Sequence, residues 1–385
     1  MKTLIELYDE RPLENVLATE VFRPERTIFL ASEEIVKDGQ HQERMKSYFQ
    51  YRNLDTIIYF RTCNTYNEKE VLNHLRTIVN RYEDVAIDIT GGTDASLFAC
   101  GEFCSENSVP VFTYSRSKNL FFNIRNAPFA HRLKNEIQFS IEDFLKMAGG
   151  TIYRGRVDND ILFEYMDIFD DFFLIFMNHK RNWVHFITYV QYLSQADFGV
   201  KIPLYVQGPR RIDKRGHQYN ANIPLFEQLE EIGMINSLSY NDDTISFRFR
   251  DHQCRTWLRD VGSVLELYIY KACIDTKMFN DVRTSVVVDW KGKSDVSNEI
   301  DVMASYDATP FFISCKTGDV HTEALNELAI LRDKFGGEMA RAIIVSAERM
   351  QSAVKHRALE LNIDVIDYET LEDSNIKDTI IAMAK

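Results

Sequence analysis

Apolar and polar positions alternate along the first third of the chain in a repeating order. Residues 27–31, TIFLA, form an apolar run ending at Ser32, ahead of a polar segment and a helical pattern near 40–50. A second run, Asp55 to Phe60, precedes a helical pattern over 67–82. A third, Val85 to Ile89, leads into Thr90-Gly91-Gly92-Thr93-Asp94 and the helical ASLFACGEFC; Val109 to Tyr114 is a fourth. Short apolar runs alternating with amphipathic helices predict strand–helix units and a parallel, doubly wound sheet. Such sheets bind ligands beyond the carboxyl ends of their strands, which here carry Ser32, Cys63-Asn64, Thr90 to Asp94 and Ser115-Arg116.

From 151 to about 260 the pattern changes. EYMDIFDDFFLIFMNHKRNWVHFITYVQYL (164–193) has helical apolar spacing, and its aromatic residues recur at intervals that pack one face, so they read as core. IPLYVQGPRRIDKRGHQYN reads as a loop carrying Arg210, Arg211, Lys214, Arg215 and His217. IPLFEQLEEIGMI then predicts an amphipathic helix and SLSYNDDTISFRF a hairpin turning at Asn-Asp-Asp, together a winged-helix-like unit.

Between 262 and 346 the pattern predicts an αβββαβ order: GSVLELYIYKACI as a helix, TSVVVDW as a strand, KGKSDVS as a turn, NEIDVMA and TPFFISCKTG as strands, ALNELAILRDKFGG as a helix and RAIIVS as a strand. Alternation along a strand puts Glu299 and Asp301 on one face. TPFFISCK is apolar enough to be buried, yet ends at Lys316; Glu266 lies near the apolar face of the preceding helix.

The length of 385 residues, with 45% hydrophobic and 27% charged residues, fits two or three globular domains and excludes a disordered or fibrous chain. A net charge of -13 disfavours a protein that coats nucleic acid through a broad basic surface, and leaves local patches such as 210–215 to admit a polyanion. The six cysteines are scattered. Cys100 and Cys104 come closest to a ligand pair, but none of the six has a partner pair at the usual zinc spacing, so free buried thiols in a reducing compartment are expected. The first residues lack a signal peptide's apolar core and no stretch reaches membrane-spanning length, so a cytoplasmic protein without a membrane partner is expected.

Two sets of residues carry chemistry. The glycines of Thr-Gly-Gly-Thr let a ligand approach the backbone, and the following helix offers N–H groups to phosphate; the same turn also serves as a tight connection alone. Glu266, Glu299, Asp301 and Lys316 suit metal-assisted phosphodiester cleavage, with carboxylates holding one or two hard cations and a lysine orienting the attacking water.

The string DITGGTDASLFACGEF, following a TIFLAS strand, resembles the Rossmann-like (CARF) ligand-sensing domain of CRISPR-associated proteins over roughly residues 1–140. The resemblance implies a homodimer that binds a cyclic oligoadenylate, most often cyclic tetra-adenylate, at Ser32, Gly91, Gly92, Thr93 and Asp94. Residues 260–370 resemble the PD-(D/E)xK nuclease superfamily. Carried across, Asp301 is the first acid, Lys316 the lysine, Glu266 the helix carboxylate, and Cys315 the position whose backbone carbonyl joins the metal shell. Ser314 occupies the place of the motif's second acid, and Glu299 is the candidate to replace it.

The whole then resembles the ancillary nucleases of type III CRISPR immunity. That resemblance implies an α/β chain with a Rossmann-like CARF domain (1–145), a helical, winged-helix-like region (146–258) and a restriction-endonuclease-like domain (259–385). It also implies cleavage of DNA, RNA or both with Mg²⁺ or Mn²⁺, and Arg210, Arg211, Lys214 and Arg215 are the candidate nucleic-acid contacts. A ligand-responsive winged-helix transcriptional regulator with a degenerate nuclease fold is the alternative. A dinucleotide enzyme is disfavoured, because TGGTDASLF lacks the G-x-G-x-x-G spacing.

Overall fold

A computed structural model describes residues 1–152, 159–195, 203–290, 298–336, 340–372 and 375–384. The turn expected at 291–297 lies outside them.

The N-terminal sheet contains β1 (Thr3–Leu7), β2 (Arg26–Ala31), β3 (Ile57–Thr62), β4 (Val85–Asp88), β5 (Val111–Ser115), β6 (Leu120–Arg125) and β7 (Leu133–Lys134), in the order β3-β2-β1-β4-β5-β6-β7. The first five strands are parallel; β6 and β7 are antiparallel additions at one edge. Helices α1 (Leu17–Phe22), α2 (Glu33–Asp38), α3 (Gln40–Tyr51), α4 (Glu68–Arg81) and α5 (Asp94–Glu106) connect them. Alternation sorts the strand residues between two cores: Ile5, Ile28 and Ile87 pack with Leu75 of α4 and Phe103 of α5, whereas Leu4, Phe29 and Phe112 face Tyr48 of α3. The run expected to open the sheet, TIFLA, is its second strand. The central strand of the five parallel ones is β1, whose sequence TLIEL hides a buried Glu6 paired in register with Asp88.

The connecting region comprises α6 (Ile141–Met147), β8 (Gly150–Ile152), α7 (Phe169–Leu193), β9 (Tyr205–Pro209), β10 (Arg211–Lys214), β11 (His217–Asn220), α8 (Ile223–Glu231), β12 (Ile235–Tyr240), β13 (Thr244–Phe249) and α9 (His252–Trp257). The aromatic face of α7 is core: Phe172, Phe176, Trp183 and Phe186 are buried, and the Trp183 indole donates to the Val261 carbonyl. Helix α8 and the β12–β13 hairpin, joined by β9 into a three-stranded sheet, give the winged-helix-like arrangement. The basic stretch is not a loop. Its buried Ile212 anchors the β10–β11 hairpin, which turns at Arg215 and Gly216, both with positive φ.

The C-terminal sheet is built from α10 (Ser263–Asp275), β14 (Asp281–Trp290), β15 (Asn298–Tyr306), β16 (Thr309–Lys316), α11 (Thr322–Gly336), β17 (Arg341–Ser346), α12 (Ser352–Glu360), β18 (Ile363–Ile366), α13 (Tyr368–Glu372) and α14 (Ile376–Ala384). Its first six elements follow the expected αβββαβ order. The sheet runs β18-β17-β16-β15-β14-β8, so a three-residue strand from the connecting region forms one edge, with Val288 paired to Ile152. Phe139 N–H donates to the Asp307 carbonyl and Ile141 N–H to Asp281, which ties the start of α6 to the same sheet.

Candidate active site and ligand-sensing turn

Asp301 lies where both ladders around β15 are interrupted. Pairing with β16 runs from Tyr306↔Thr309 to Val302↔Ile313 and stops short of it. On the other side the register passes from Thr284↔Val302 to Val286↔Ile300, skipping Ser285, which has φ 51°. The Thr284 hydroxyl takes up the Asp301 carbonyl at 2.8 Å in place of a ladder bond. Freed in this way, the Asp301 carboxylate accepts the Cys315 backbone N–H at 2.7 Å and the Ser314 hydroxyl at 3.1 Å. Lys316 Nζ stands 3.7 Å from the same oxygen and is partly exposed.

Glu266, in the first turn of α10, completes the cluster. Burial, then the charges of Asp301, Asp260 and Glu299, push its carboxyl up to about 8 against the opposing Lys316. The fold thus brings together Glu266, Glu299, Asp301, Ser314, Cys315 and Lys316, all six expected from the sequence. The β14–β15 register keeps one offset across Ser285, and both Glu299 and Asp301 act on Glu266. The Cys315 thiol is buried and held well above its ordinary value by that burial and by Asp301 and Glu266, so it stays protonated. Only the backbone of Cys315 is therefore suited to a role.

Sequence reasoning missed Asp260. Its carboxylate accepts the N–H groups of Gly262 and Ser263 and the Ser263 hydroxyl at 2.7–3.0 Å, fixing the entry to α10. The signal was present as an acid two residues ahead of Gly262, where the helix that carries Glu266 begins.

Carboxylates that converge on Glu266 and raise its proton affinity, beside one lysine, form a donor set for hard divalent cations, which take carboxylate and carbonyl oxygens. The residues present are of the kind that fits a hard divalent cation.

The second constellation lies at the carboxyl ends of β1 and β4, where the strand order 3-2-1-4-5 reverses direction from the centre. Asp88 accepts both the N–H and the hydroxyl of Thr90 and is pushed up to about 7 by burial. Gly92 has φ +100°, and a Cβ there would stand 2.7 Å from the Leu7 Cβ; one at Gly91 would meet Asp9 at 2.9 Å. The turn is therefore glycine because it presses on β1. Thr93 caps α5, its hydroxyl also donating to the Thr65 carbonyl, and Asp94 is exposed at the helix start. Ser32 caps α2 through the Ile35 N–H.

The residues after β1 were not read from the sequence, because β1 itself was not. Asp9 accepts the Gly92 N–H at 3.2 Å, and Arg11 grips Asp9 through two bonds at 2.8 and 2.9 Å. Burial pushes the Asp9 carboxyl up, but the Arg11 bonds overcome it and hold the group below its ordinary value. Glu14 joins Arg11 to Arg116, which follows β5. The turn is thus flanked by two guanidinium groups. Of the basic hairpin, Arg211 and Asp213 are exposed on one face and Lys214 shares the face of buried Ile212, so the strand divides the cluster. Arg210 donates to the Asn241 carbonyl and lies over the Tyr240 ring.

Residues 252–384 match the family described as Card1-like, endonuclease domain. Over its whole length the chain is similar in fold to protein VC1899 from Vibrio cholerae, with a TM-score of 0.75 and 18% identity over 99% of this chain and 97% of that one. It is similar also to Can2 from Sulfobacillus thermosulfidooxidans, solved in complex with cyclic tetra-adenylate, with a TM-score of 0.72 and 16% identity over 100% and 99%. A type III CRISPR defence DNA nuclease activated by cyclic oligoadenylate aligns with a TM-score of 0.50 and 13% identity, over 91% of this chain and 46% of its own. No curated protein matches the sequence. The C-terminal third is an endonuclease domain of the Card1-like type, and the mixed α/β architecture of the whole is that of VC1899 and Can2. Among the described residues no helix is long and apolar enough to cross a membrane, and all six cysteines are buried and free.

Proposed function

We propose that the chain is a cytoplasmic, metal-dependent endonuclease that works as a homodimer and is switched on by a cyclic oligoadenylate in type III CRISPR defence. The observation that carries this reading is the Asp301 carboxylate, held by the Cys315 N–H between Lys316 and Glu266 in a domain of endonuclease type. Can2, solved with cyclic tetra-adenylate, and the DNA nuclease activated by cyclic oligoadenylate support the gating half.

Asp301 and Glu266 would hold the cation, with Glu299 and the Cys315 carbonyl completing the donor set. When bound, it would polarise the phosphate and lower the pKa of a coordinated water. The chain's own residues supply the rest. The Cys315 N–H fixes the orientation of Asp301, so the carboxylate does not have to reorganise during the reaction. Lys316, with its ammonium partly open to solvent, orients the attacking water and offsets charge that develops on the phosphate. Asp260 holds the first turn of α10 and with it Glu266. Ser314 donates to Asp301 without adding charge, so Glu299 serves as the second acid.

At the other end, the guanidinium groups of Arg11 and Arg116 beside the Gly91–Thr93 turn, where glycine lets a ligand approach the backbone, suit the phosphates of a cyclic oligoadenylate. Ser32 and Asp94 border that surface. Two copies would enclose the ring, which acts as a switch only by binding the cleaving arrangement better than the idle one. Arg210, Arg211, Lys214 and Arg215 would draw DNA or RNA toward the chain against its net charge of -13. The test is cleavage of plasmid, single-stranded DNA and RNA with Mn²⁺ and each cyclic oligoadenylate, beside Asp301→Ala and Lys316→Ala. Cleavage surviving in both variants contradicts the site.

A further inference from the structure

Cys63, Glu70 and His74 converge at the carboxyl end of β3, in the N-terminal sheet rather than the nuclease sheet. Cys63 directly follows the strand, fully buried, its N–H bonded to the Ala31 carbonyl. Glu70 and His74 lie four residues apart on one face of α4 and are half-buried. One ligand atom from each residue (the Cys63 sulfur, a Glu70 oxygen and a His74 ring nitrogen) lies within 4.8 Å of the other two. One Glu70 oxygen accepts the Asn64 N–H at 2.9 Å, which steers the carboxylate.

We propose that Cys63, Glu70 and His74 form a binding site for one zinc-like divalent cation, independent of the nuclease centre. Thiolate, imidazole and carboxylate are zinc's usual donors, and three protein ligands leave a fourth position for water. Ordinary zinc bond lengths put tetrahedral ligand atoms roughly 3.4–3.6 Å apart, so side-chain rotations that draw the present atoms together by about an ångström close the site. Burial, and then the Glu70 charge, push the Cys63 thiol up to about 11. A cation reverses that balance and displaces the thiol proton as it binds. A thiolate selects against Mg²⁺ and Ca²⁺, so this site and the all-oxygen nuclease centre take different ions. The Cys-x₆-Glu-x₃-His spacing matches no common zinc pattern, which is why the sequence alone did not show it. The loop after Cys63 also provides Thr65, whose carbonyl accepts the Thr93 hydroxyl, so a bound cation would brace the segment that touches the glycine turn.

The test is a Co²⁺ titration of the full chain, stripped of metal and held in excess Mg²⁺ to fill the nuclease centre. A thiolate-to-cobalt charge-transfer band should saturate at one equivalent per chain and be displaced by one equivalent of Zn²⁺. It should vanish in Cys63→Ser, need at least about tenfold more cobalt in His74→Ala, and persist in Asp301→Asn. His74 is half-buried on a helix surface, so His74→Ala remains decisive if Cys63→Ser fails to fold. No band in the native chain, or a band of unchanged affinity in His74→Ala, overturns the site.

Discussion

The backbone N–H of Cys315 donates to the carboxylate of Asp301 at 2.7 Å, across two neighbouring strands whose ladder has already ended. A carboxylate that takes the place of a main-chain carbonyl there is fixed in direction, and it presents its remaining lone pairs beside Lys316 and Glu266. On the proposed role of Asp301 as a metal ligand, Asp301→Ala should lower cleavage by at least about 100-fold with little loss of folded protein. The check is single-turnover cleavage at saturating Mn²⁺, with circular dichroism as the folding control. Cleavage within tenfold of the native rate would show that Asp301 does not hold the metal.

Ser314 and Glu299 exchange the usual roles in this account. Ser314→Ala removes one 3.1 Å hydrogen bond to Asp301 and should cost less than about tenfold in rate, the loss of a single neutral bond. Glu299→Gln removes a charge and should cost more than about tenfold and raise the Mn²⁺ concentration required. A metal titration of both variants checks this, and the reverse ranking would restore Ser314 as the more important position.

Asp88 gives a pH signature separate from catalysis. It is buried and titrates at about 7 in the fold, against 3.8 ordinarily. Between those values the folded chain keeps a proton that the unfolded chain has lost, so its contribution to stability falls as pH rises from about 4 to 7 and is flat above. Asp88→Asn keeps an acceptor for Thr90 and removes the titration. Its stability relative to the native chain should climb over that window by at most about 4 kcal/mol. Denaturant unfolding at pH 4 and pH 8 measures it, and parallel pH curves for the two proteins would contradict the buried charge.

The β10–β11 hairpin offers a salt-dependent test. Replacing Arg211, Lys214 and Arg215 by alanine should weaken substrate binding without sequence preference. It should also flatten the salt dependence by about 0.7–0.9 for each phosphate that the hairpin no longer neutralises. Fluorescence anisotropy with a catalytically inactive chain at several salt concentrations reads both quantities. An unchanged slope would return the hairpin to a solvated surface.

The strands of the nuclease sheet were legible because each announces itself locally: NEIDVMA and TPFFISCK keep their apolar pattern up to the residues that leave it, Asp301 and Lys316. The clustering of Glu266 with them could be expected from residue types alone. By contrast, β1 was hidden by Glu6, a carboxylate that reads as surface but is buried against Asp88. Missing β1 also concealed Asp9 and Arg11, which hold the glycine turn. Strand β8 could not be read, since its three residues pair with residues 288–290 far along the chain and no local pattern encodes that pairing. The basic run looked like a loop because four positive charges outweighed Ile212, the one buried residue that makes it a strand.

The gating claim is tested most directly by cleavage of a nucleic-acid substrate with Mn²⁺ across a titration of cyclic tetra-adenylate, using the native chain and Gly92→Val. The native rate should rise by at least about tenfold on saturation. Gly92→Val, which forces a side chain into Leu7, should need far more ligand for the same effect. A native rate unchanged by cyclic tri-, tetra- and hexa-adenylate would contradict the account.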